Sequence, residues 1–356
     1  MQTDVAIIGG GPAGTACALA LRAHAPALSV AVYEASHYDA LRIGETLPPA
    51  ARTILQHLGV FDTFRAQGHR EVHGTTSTWG SGSLRENDFL QYAKGPGWHL
   101  DRAAFDAMLA DEAALRGASV FRGTAVRSLD EVSARFFVDA TGSASIATRH
   151  FGARFVAIDH LVSFARIFED EDGRDPRTHV EAFEDGWWYT ASLPGGRRIV
   201  ACFTDADIAR RLRLSEPDVW MQLARSLAGD ARPCSDVVAR SAESRYLEPC
   251  CGDNWIAIGD AASRFDPLSS QGIIKAMRSG IFAAYAIGDG PMGFRRYERI
   301  MRAEFDAYLA LRTRFYAEEN RWDRAFWRFR SAAAKPPLSD PDHKAVALQS
   351  VSKLSG

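Results

Sequence analysis

The start of the chain alternates between buried strand patterns and a helical pattern. Residues 4–8 (DVAII) are almost continuously apolar, as strands of a parallel sheet are when both faces are covered. A glycine-rich turn and a helix to about residue 25 follow, and a second strand, SVAVYEA, ends near Glu34. This order predicts a βαβ unit.

The middle of the chain has the short alternations that are typical of antiparallel strands. Residues 66–94 are rich in Thr, Ser and Gly, and residues 155–240 contain several strand patterns, with a hairpin expected around residues 194–196. In the run GWWYT, alternation sends Trp187 and Tyr189 to one face of a strand and Trp188 to the other. We expect a second, antiparallel sheet here.

Helical periodicity returns near the C-terminus. From residue 291 onward, apolar residues recur three or four positions apart, at Phe294, Tyr297, Met301, Phe305 and Tyr308. We expect Trp322 and Trp327 to dock this helical region onto the body of the protein. The final stretch, which includes VALQSVSKL, is expected to be loosely held, with a short helix as one option.

Composition and charge narrow the class of function. The 356 residues are 46% apolar and 24% charged, with a formal net charge of −2, so the chain lacks the basic excess that nucleic-acid binding uses. It opens directly on a strand pattern rather than a signal peptide, and its apolar runs fall short of the roughly 18 residues of a membrane span. We expect a cytoplasmic protein.

The cysteines and histidines do not form a metal motif. The adjacent pair Cys250 and Cys251 has neither zinc-ligand spacing nor the CxxC redox form. His69 and His73 are four residues apart, but they lie in a segment predicted to be β rather than on one helix face. We therefore expect no metal site.

A glycine motif follows the first strand directly. It reads Gly9-x-Gly11-x-x-Gly14, opens the predicted helix, and is followed 20 residues after Gly14 by Glu34. Such glycines allow a tight turn and a close approach to a pyrophosphate, the helix N-terminus offers N–H groups to phosphates, and the acidic residue accepts hydrogen bonds from a ribose. The combination predicts a dinucleotide site; a glycine-rich turn without a ligand is the alternative.

A second candidate segment lies far along the chain. Residues 254–272 (NWIAIGDAASRFDPLSSQG) run from an apolar strand through Asp260 and Pro267 to the start of another helix at Gly272. On its own this is a βα turn with a helix cap. As part of a binding site, the helix N-terminus would stabilise negative charge on a ligand, Gly272 would allow close approach, and Pro267 would stiffen the loop.

Three separated motifs together resemble one family. GxGxxG, the central Ala140-Thr141-Gly142 and the late Gly259-Asp260 are similar to the signatures of the glutathione-reductase-type FAD fold, shared by aromatic hydroxylases, geranylgeranyl reductases and flavin-dependent halogenases. The resemblance implies FAD, held by the following residues: Gly9, Gly11, Ala13, Gly14, Glu34, Arg42, Arg102, Val126, Gly142, Asp260, Pro267, Gly272 and Ile273.

The resemblance also implies individual roles. Asp260 would accept hydrogen bonds from the ribityl hydroxyls, and the backbone near Val126 would meet the adenine. Arg102 would contact the cofactor; the alternative for Arg102 is an ion pair with Asp106, one helical turn further on.

The fold class follows from the patterns and the resemblance together. We predict an α/β protein with a three-layer, Rossmann-like FAD-binding domain built from residues 1–65, 95–154 and 241–290. An interleaved antiparallel-sheet substrate domain takes residues 66–94 and 155–240, and residues 291–356 form a C-terminal helical region and tail.

Several flavin reactions stay open. The single dinucleotide motif and the missing CxxC disfavour a pyridine-nucleotide disulfide reductase. GETLPP and RWDRAFW resemble tryptophan halogenases, but residues 69–87 offer no lysine for the ammonium that halogenation uses, and DGWWYTASLPGG is only loosely similar to the WxWxIP signature of those enzymes. A geranylgeranyl-reductase-like flavin reductase and a non-enzymatic flavin-binding assembly partner are further alternatives.

The best resemblance is to a halogenase-like group of FAD-dependent monooxygenases, the LodB/GoxB-type flavoproteins of tryptophan-quinone cofactor maturation, and it runs from residue 4 to about residue 330. It implies hydroxylation of an electron-rich aromatic, either a tryptophan in a partner polypeptide or a free or carrier-bound aromatic, through a C4a-hydroperoxyflavin. Because a second dinucleotide motif is missing, electrons would come from transiently bound NAD(P)H or from reduced flavin made by a flavin reductase.

Few residues are candidates for acid–base chemistry. Exclusion of water around the flavin matters more for oxygen transfer than any acid or base does. Glu45 and Thr46 are the candidates to line the pocket, Glu45 as a general base, with a structural hydrogen bond in its loop as the alternative. We expect Pro267 beside the flavin ring and Trp188 in the substrate pocket.

Overall fold

Two large sheets dominate the computed structural model, which describes residues 3–39, 42, 44–89, 95–170 and 175–332. The strands are β1 (Thr3–Ile8), β2 (Val30–Tyr33), β3 (Thr46–Leu47), β4 (Arg70–Val72), β5 (Gly74–Thr78), β6 (Arg85–Asp88), β7 (Gly97–His99), β8 (Ser119–Phe121), β9 (Ala134–Asp139), β10 (Arg154–Ala157), β11 (Leu161–Glu169), β12 (Thr178–Phe183), β13 (Gly186–Leu193), β14 (Arg197–Asp205), β15 (Val238–Ser241), β16 (Arg245–Glu248), β17 (Trp255–Ala257) and β18 (Ser263–Arg264).

Helices cover the sheets and fill the C-terminal part of the described chain. They are α1 (Pro12–His24), α2 (Ala51–His57), α3 (Phe61–Ala66), α4 (Arg102–Leu115), α5 (Ala147–His150), α6 (Ala206–Arg211), α7 (Pro217–Ala228), α8 (Gly272–Asp289), α9 (Pro291–Glu318) and α10 (Ala325–Ser331). The short helix considered for VALQSVSKL lies outside the described residues. Within the described residues, no helix combines the length and the apolar character needed to cross a membrane.

The five-stranded sheet is parallel throughout. Its order is β17-β9-β1-β2-β8, with β1 at the centre. The apolar run of β1 is buried on both faces, as Val5, Ala6 and Ile7 show by their near-zero exposure. The predicted βαβ unit and parallel sheet are therefore confirmed, because a strand covered on both sides cannot show polar alternation.

The seven-stranded sheet carries the alternating segments of the sequence. Its order is β15-β11-β14-β13-β12-β5-β6, and only the β5–β12 pair is parallel. The predicted hairpin connects β13 to β14, with positive φ angles at Gly195 and Gly196. Within the described residues, a small sheet of order β3-β7-β4 is not hydrogen-bonded into it as a strand pair, and it places Thr46 opposite His99.

Helices α1 and α8 cross at a glycine. A Cβ added at Gly280 would lie 2.3 Å from the carbonyl oxygen of Ala13 and 2.9 Å from the amide nitrogen of Cys17. The two helix backbones are therefore in direct contact, and only glycine leaves room for this packing. This crossing brings the N-terminal ends of both helices to the same part of the protein.

The C-terminal helices dock onto both sheets. The 28-residue α9 buries Tyr297, Met301, Phe305 and Tyr308, which match the predicted apolar face. Trp327 is buried against Trp79 and donates its indole N–H to the Phe183 and Glu184 carbonyls. The docking role expected for this tryptophan is confirmed.

Replacing Gly280 with alanine should destabilise the fold by about 2–3 kcal/mol, because its methyl group would overlap the α1 backbone. Gly288 on the same helix is the matched control, since a Cβ there meets only the His24 ring at 3.3 Å. Gly288→Ala should stay within about 1 kcal/mol of the parent or gain from helix propensity. Chemical denaturation midpoints measure both; equal midpoints for the two variants would contradict the tight crossing.

Candidate active site

A cavity of about 750 Å³ runs from the carboxyl ends of the parallel strands to the face of the antiparallel sheet. Ile8, Ala140 and Ile258, at or just beyond the ends of β1, β9 and β17, line one side of it. Ligands bind at this edge in open α/β sheets, and the volume is in the range of small-molecule sites. The cavity is therefore the candidate binding site.

The glycine motif divides into packing and cavity positions. A Cβ at Gly9 would lie 2.3 Å from the Ala140 carbonyl oxygen, and one at Gly14 would lie 1.9 Å from the Gly9 carbonyl oxygen. A Cβ at Gly11 would meet nothing within 4 Å, and Gly11 lines the cavity. Gly9 and Gly14 thus allow the backbone to pack on itself, whereas Gly11 keeps cavity space open for a ligand.

The N-terminus of α1 provides an anion site beside this space. Gly11 is its N-cap, Pro12 follows at the first helical position, and the first turn carries no acidic residue. Free N–H groups and the helix dipole favour a negatively charged ligand there. Ala13, another predicted cofactor residue, also lines the cavity, whereas Gly14 is not among the lining residues.

Glu34 lies at one end of the cavity as an ionised carboxylate. It accepts hydrogen bonds from the Gly10 N–H at 2.8 Å, from the Ser36 hydroxyl at 2.6 Å and from Arg42 at 2.9 Å. Burial alone would raise the pKa of Glu34, but the hydrogen bonds and the Arg42 charge hold this pKa below its usual value. Val126 lines the same end, next to Thr124 and Ala125.

Arg42 and Arg102 share one buried carboxylate. Arg42 contacts Asp106 at 2.8 Å and Arg102 contacts it at 3.2 Å, while Arg102 also donates to the Gly44 carbonyl at 2.9 Å. The ion pair considered for Arg102 is therefore present. Because both arginines also line the cavity, a contact with the cofactor stays a prediction for each.

Asp139 organises the central Ala140-Thr141-Gly142 turn, a role that the motif by itself did not reveal. Its carboxylate accepts from the Thr141 N–H and hydroxyl at 3.0 and 2.6 Å and from the Ala147 N–H at 2.9 Å. Gly142 has a φ of +64° and open space where a Cβ would lie, and it lines the cavity. In the sequence, the signal for this role was an aspartate at the end of an apolar strand pattern, directly before Ala140.

Asp260 lies on the cavity wall and is paired from behind by Lys275. The Lys275 ammonium is 2.8 Å from one carboxylate oxygen and also donates to the Ser263 carbonyl. Burial works against the charge of Asp260, yet Lys275, Arg264 and Arg245 lower its pKa. The pair keeps Asp260 an acceptor, as the predicted ribityl contact requires. Sequence reasoning missed Lys275, because a helical pattern does not show which residue of another segment a side chain will contact.

The second helix N-terminus closes the other end of the cavity. Helix α8 begins at Gly272 with no acidic residue in its first turn, and a Cβ on Gly272 would meet nothing within 4 Å. Ile273 and Pro267 line the cavity beside it. The preceding loop is anchored to α9, since Asp266 accepts hydrogen bonds from Arg312 at 3.1 Å and from the Tyr316 hydroxyl at 2.8 Å.

Strand β14 of the antiparallel sheet gives the cavity an apolar wall. Ile199, Ala201 and Phe203 alternate along β14 and all line it, together with Tyr189 from the paired strand β13. Trp188 points to the opposite face, where it is buried 5.7 Å (between ring centroids) from Trp220. The aromatic residue of β13 that reaches the cavity is therefore Tyr189 rather than Trp188, because successive strand residues face opposite sides.

Glu45 and Thr46 line the cavity where its two sides meet. Glu45 is 2% exposed; its carboxylate accepts from the Gly44 N–H at 2.9 Å and from the Tyr189 hydroxyl through a short hydrogen bond. The Thr46 hydroxyl lies 2.7 Å from that of Tyr189. Burial and the Glu45 charge raise the pKa of Tyr189 well above 10, so its phenol stays protonated.

One group of possible soft-metal ligands exists among the described residues. Cys250, Cys251 and Glu298 place ligand atoms within 4.8 Å of one another, away from the residues that line the cavity. Interaction with Cys251 and burial raise the pKa of the Cys250 thiol well above its usual value, which opposes the thiolate that a metal needs. His69 instead bonds the Gln67 side chain and the Asp101 N–H. We assign no metal to either place.

The cavity fits FAD. Two helix N-termini face it, ionised carboxylates stand at Glu34 and Asp260, and open space lies where Cβ atoms would be at Gly11, Gly142 and Gly272. These features suit an elongated dinucleotide with an anionic centre and hydroxyl groups on both sides.

Comparison with known proteins supports the same cofactor. An FAD-binding-domain model matches residues 2–157, and a tryptophan halogenase model matches residues 81–352. The LodB protein of Marinomonas mediterranea, described as an FAD-dependent oxidoreductase, is 31% identical over 92% of this chain and 97% of its own. A 1H-pyrrole-2-carbonyl-[peptidyl-carrier protein] brominase of Pseudoalteromonas luteoviolacea is 26% identical over 80% of this chain and 77% of its own.

Solved structures show the same fold. The flavin-dependent halogenase CmlS superposes with a TM-score of 0.82 at 26% identity, covering 100% of this chain and 71% of its own. The peptidyl tryptophan dihydroxylase QhpG, described as essential for tryptophylquinone cofactor biogenesis, superposes with a TM-score of 0.71 at 24% identity, covering 96% of this chain and 80% of its own.

Gly11→Ala should weaken FAD binding at least about tenfold while leaving the stability of the FAD-free protein unchanged, because its methyl group would occupy cavity space only. Gly14→Ala is the matched variant and should destabilise the FAD-free protein, since its Cβ would overlap the Gly9 carbonyl. Flavin fluorescence titration and thermal melting of the apoprotein measure the two effects. Equal effects of both variants on apoprotein stability would contradict the assignment of Gly11 to the cavity and of Gly14 to backbone packing.

Asp260→Ala should weaken FAD binding by about 10- to 100-fold, the loss expected for hydrogen bonds to a charged acceptor. It also leaves the Lys275 ammonium buried without its carboxylate, which lowers stability. The double variant Asp260→Ala/Lys275→Met should recover stability but not affinity. Normal FAD affinity in the double variant would remove the proposed cofactor contact of Asp260.

Proposed function

The chain belongs to the tryptophan halogenase family of FAD-dependent oxidoreductases, and from this we propose that it is a monooxygenase that hydroxylates an electron-rich aromatic ring. The observation that carries the proposal is the position of Lys275. It is the only lysine in the part of the chain that the structure describes, is 2% exposed, and is bound to Asp260 and Ser263. Such an ammonium does not serve to receive hypohalous acid.

Two further observations favour oxygen transfer to a ring. Residues 69–87, where a halogenase lysine is expected, contain none. Ile199, Ala201 and Phe203 make the substrate side of the cavity apolar, which suits an aromatic ring and keeps water away. FAD, when bound, supplies the electrons that activate O2 for transfer to the ring.

The protein residues contribute binding and positioning. Glu34 and Asp260 hold the two ends of the cofactor site, and the helices that begin at Pro12 and Gly272 face the anionic groups between them. Residues 1–65, 95–154 and 241–290 are proposed to bind FAD, and residues 66–94 and 155–240 to bind the substrate. Electrons arrive from NAD(P)H or from flavin reduced by a separate reductase.

A tryptophan side chain in a partner polypeptide is the proposed substrate. The resemblance to the flavoproteins of tryptophan-quinone cofactor maturation supports a peptide-bound ring. A protein that shares the fold, QhpG, is described as a peptidyl tryptophan dihydroxylase. A free or carrier-bound aromatic is the second candidate, favoured by the similarity to the brominase that acts on a carrier-bound pyrrole.

The FAD-loaded protein should transfer one oxygen atom from ¹⁸O-labelled O2 to N-acetyl-tryptophanamide or to a tryptophan-containing peptide, as mass spectrometry detects. Reduced flavin supplied chemically removes the need for the natural reductase. Chloride- or bromide-dependent halogenated products would establish the halogenase alternative instead, and alkene reduction without O2 would favour the reductase. A protein that binds no flavin would contradict the whole assignment.

A further inference from the structure

A continuous chain of hydrogen bonds leads from the cavity into the protein interior. The Glu45 carboxylate accepts from Tyr189, whose oxygen lies 2.7 Å from the Thr46 hydroxyl. Thr46 lies 3.4 Å from the Thr178 hydroxyl, and Thr178 lies 3.1 Å from Nε2 of His99. The chain therefore joins five side chains through four links.

The tertiary structure assembles this chain from four strands and one loop. Thr46 on β3 is the register partner of His99 on β7, while Thr178 and Tyr189 come from β12 and β13. Glu45, Thr178 and His99 are between 0% and 3% exposed. Water therefore has no access to the link between Thr178 and His99, and the Thr178 hydroxyl must use its single proton within the chain. Thr46 and Tyr189 are half-buried and line the cavity.

Each link needs one proton, which sets the direction of the chain. The Tyr189 phenol keeps its proton and donates it to the Glu45 carboxylate. Tyr189 then has no proton left for Thr46, and Thr46 must donate to Tyr189. By the same reasoning Thr178 donates to Thr46, and His99 donates to Thr178 from Nε2.

His99 ends the chain as a neutral ring. Burial, with smaller contributions from the charges of Arg70 and Arg198, lowers the pKa of His99 to about 4. One ring nitrogen therefore carries a proton at neutral pH, and the four-link arrangement places it on Nε2. Nδ1 is left as a bare acceptor, in agreement with its having no hydrogen-bond partner among the described residues.

We propose that Glu45 takes the proton that the substrate ring releases, and that Tyr189, Thr46, Thr178 and His99 are positioning residues that hold the Glu45 carboxylate in a fixed orientation. This rests on the proposed hydroxylation. After oxygen transfer, the C–H bond at the hydroxylated carbon breaks, its electron pair restores the aromatic ring, and the proton bonds to a Glu45 oxygen. Solvent then takes the proton, so Glu45 is regenerated.

Glu45→Gln tests the chain without any substrate. The Gly44 N–H, which lies 2.9 Å from Oε2, will select the amide oxygen of the glutamine and leave its NH2 facing Tyr189. Tyr189 then accepts, every link reverses, and His99 must accept from Thr178 at Nε2. The His99 tautomer should shift from the Nε2–H form to the Nδ1–H form.

Nitrogen-15 NMR of histidine-labelled, FAD-loaded protein measures this shift, with the His99 signals assigned through His99→Gln. Glu71→Gln is the matched control, because Glu71 lies on the adjacent strand β4, outside the chain, and it should leave the tautomer unchanged. In a Glu45→Gln background, Thr178→Val should abolish the shift and Thr178→Ser should keep it. Unchanged His99 nitrogen shifts in Glu45→Gln would overturn the chain.

The catalytic part is tested with N-acetyl-tryptophanamide, in normal form and with the indole ring deuterated. Glu45→Gln should slow product formation about 100-fold and produce a deuterium isotope effect that the parent protein lacks, because loss of the ring proton becomes limiting. FAD affinity should stay within about threefold. A slow variant without an isotope effect overturns the proton-acceptor role.

The hydrogen-bond chain and the proton-acceptor role of Glu45 are tested by different measurements. If the parent protein oxygenates no aromatic probe, the proposed hydroxylation fails and the acceptor role of Glu45 fails with it, while the tautomer measurement still decides whether the chain exists. If the parent protein is active and His99→Gln, which keeps a donor toward Thr178, retains activity while His99→Leu loses about tenfold, the positioning role is supported. Equal activity of the two His99 variants overturns it.

Discussion

Arg312 lies buried between two carboxylates, and this contact joins helix α9 to the loop before α8 and to the segment that enters the seven-stranded sheet. It is 2.7 Å from Asp159, which precedes β11, and 3.1 Å from Asp266, which precedes the loop that leads into α8. Buried carboxylates in proteins are paired with a counter-charge, and this guanidinium pairs with both of them. Removing one member of such a set costs about 3–5 kcal/mol. The loop before α8 is thus fixed by a residue that lies nearly fifty positions further along the chain.

The same principle recurs around the cavity. Glu34 is held by backbone N–H groups and Arg42, Asp260 by Lys275, and Glu45 by Gly44 and Tyr189. Each carboxylate is fixed from behind while it lines the cavity, so the site is organised before a ligand arrives. The apolar face of β14 covers the opposite side. Fixed polar groups on one side of the cavity suit tight binding of a cofactor. The apolar residues on the other side suit an aromatic ring and exclude water.

The sequence predicted one end of the site better than the other. Twelve of the thirteen predicted cofactor residues line the cavity, with Gly14 alone serving packing. The family resemblance implied this set, and the glycines among them sit in turns whose backbone requirements are local. The substrate side depends on which strand face turns inward. Trp188 and Tyr189 are neighbours on β13 and face opposite sides of the sheet. The sequence did not show which side faces the cavity, and for this reason Trp188 was expected where Tyr189 lies.

By itself the sequence determined the parallel sheet and the helix starts, because strand burial, helix caps and glycine turns depend on residues close together in the chain. The family followed from the resemblance of three separated motifs. Tertiary structure alone decided that Lys275 faces Asp260, that Asp139 ties the central turn, and that Glu45 meets Tyr189. These partners belong to elements that meet only after the two sheets have packed. Charge pairing and proton direction depend on distances between side chains, and such distances exist only in the folded chain.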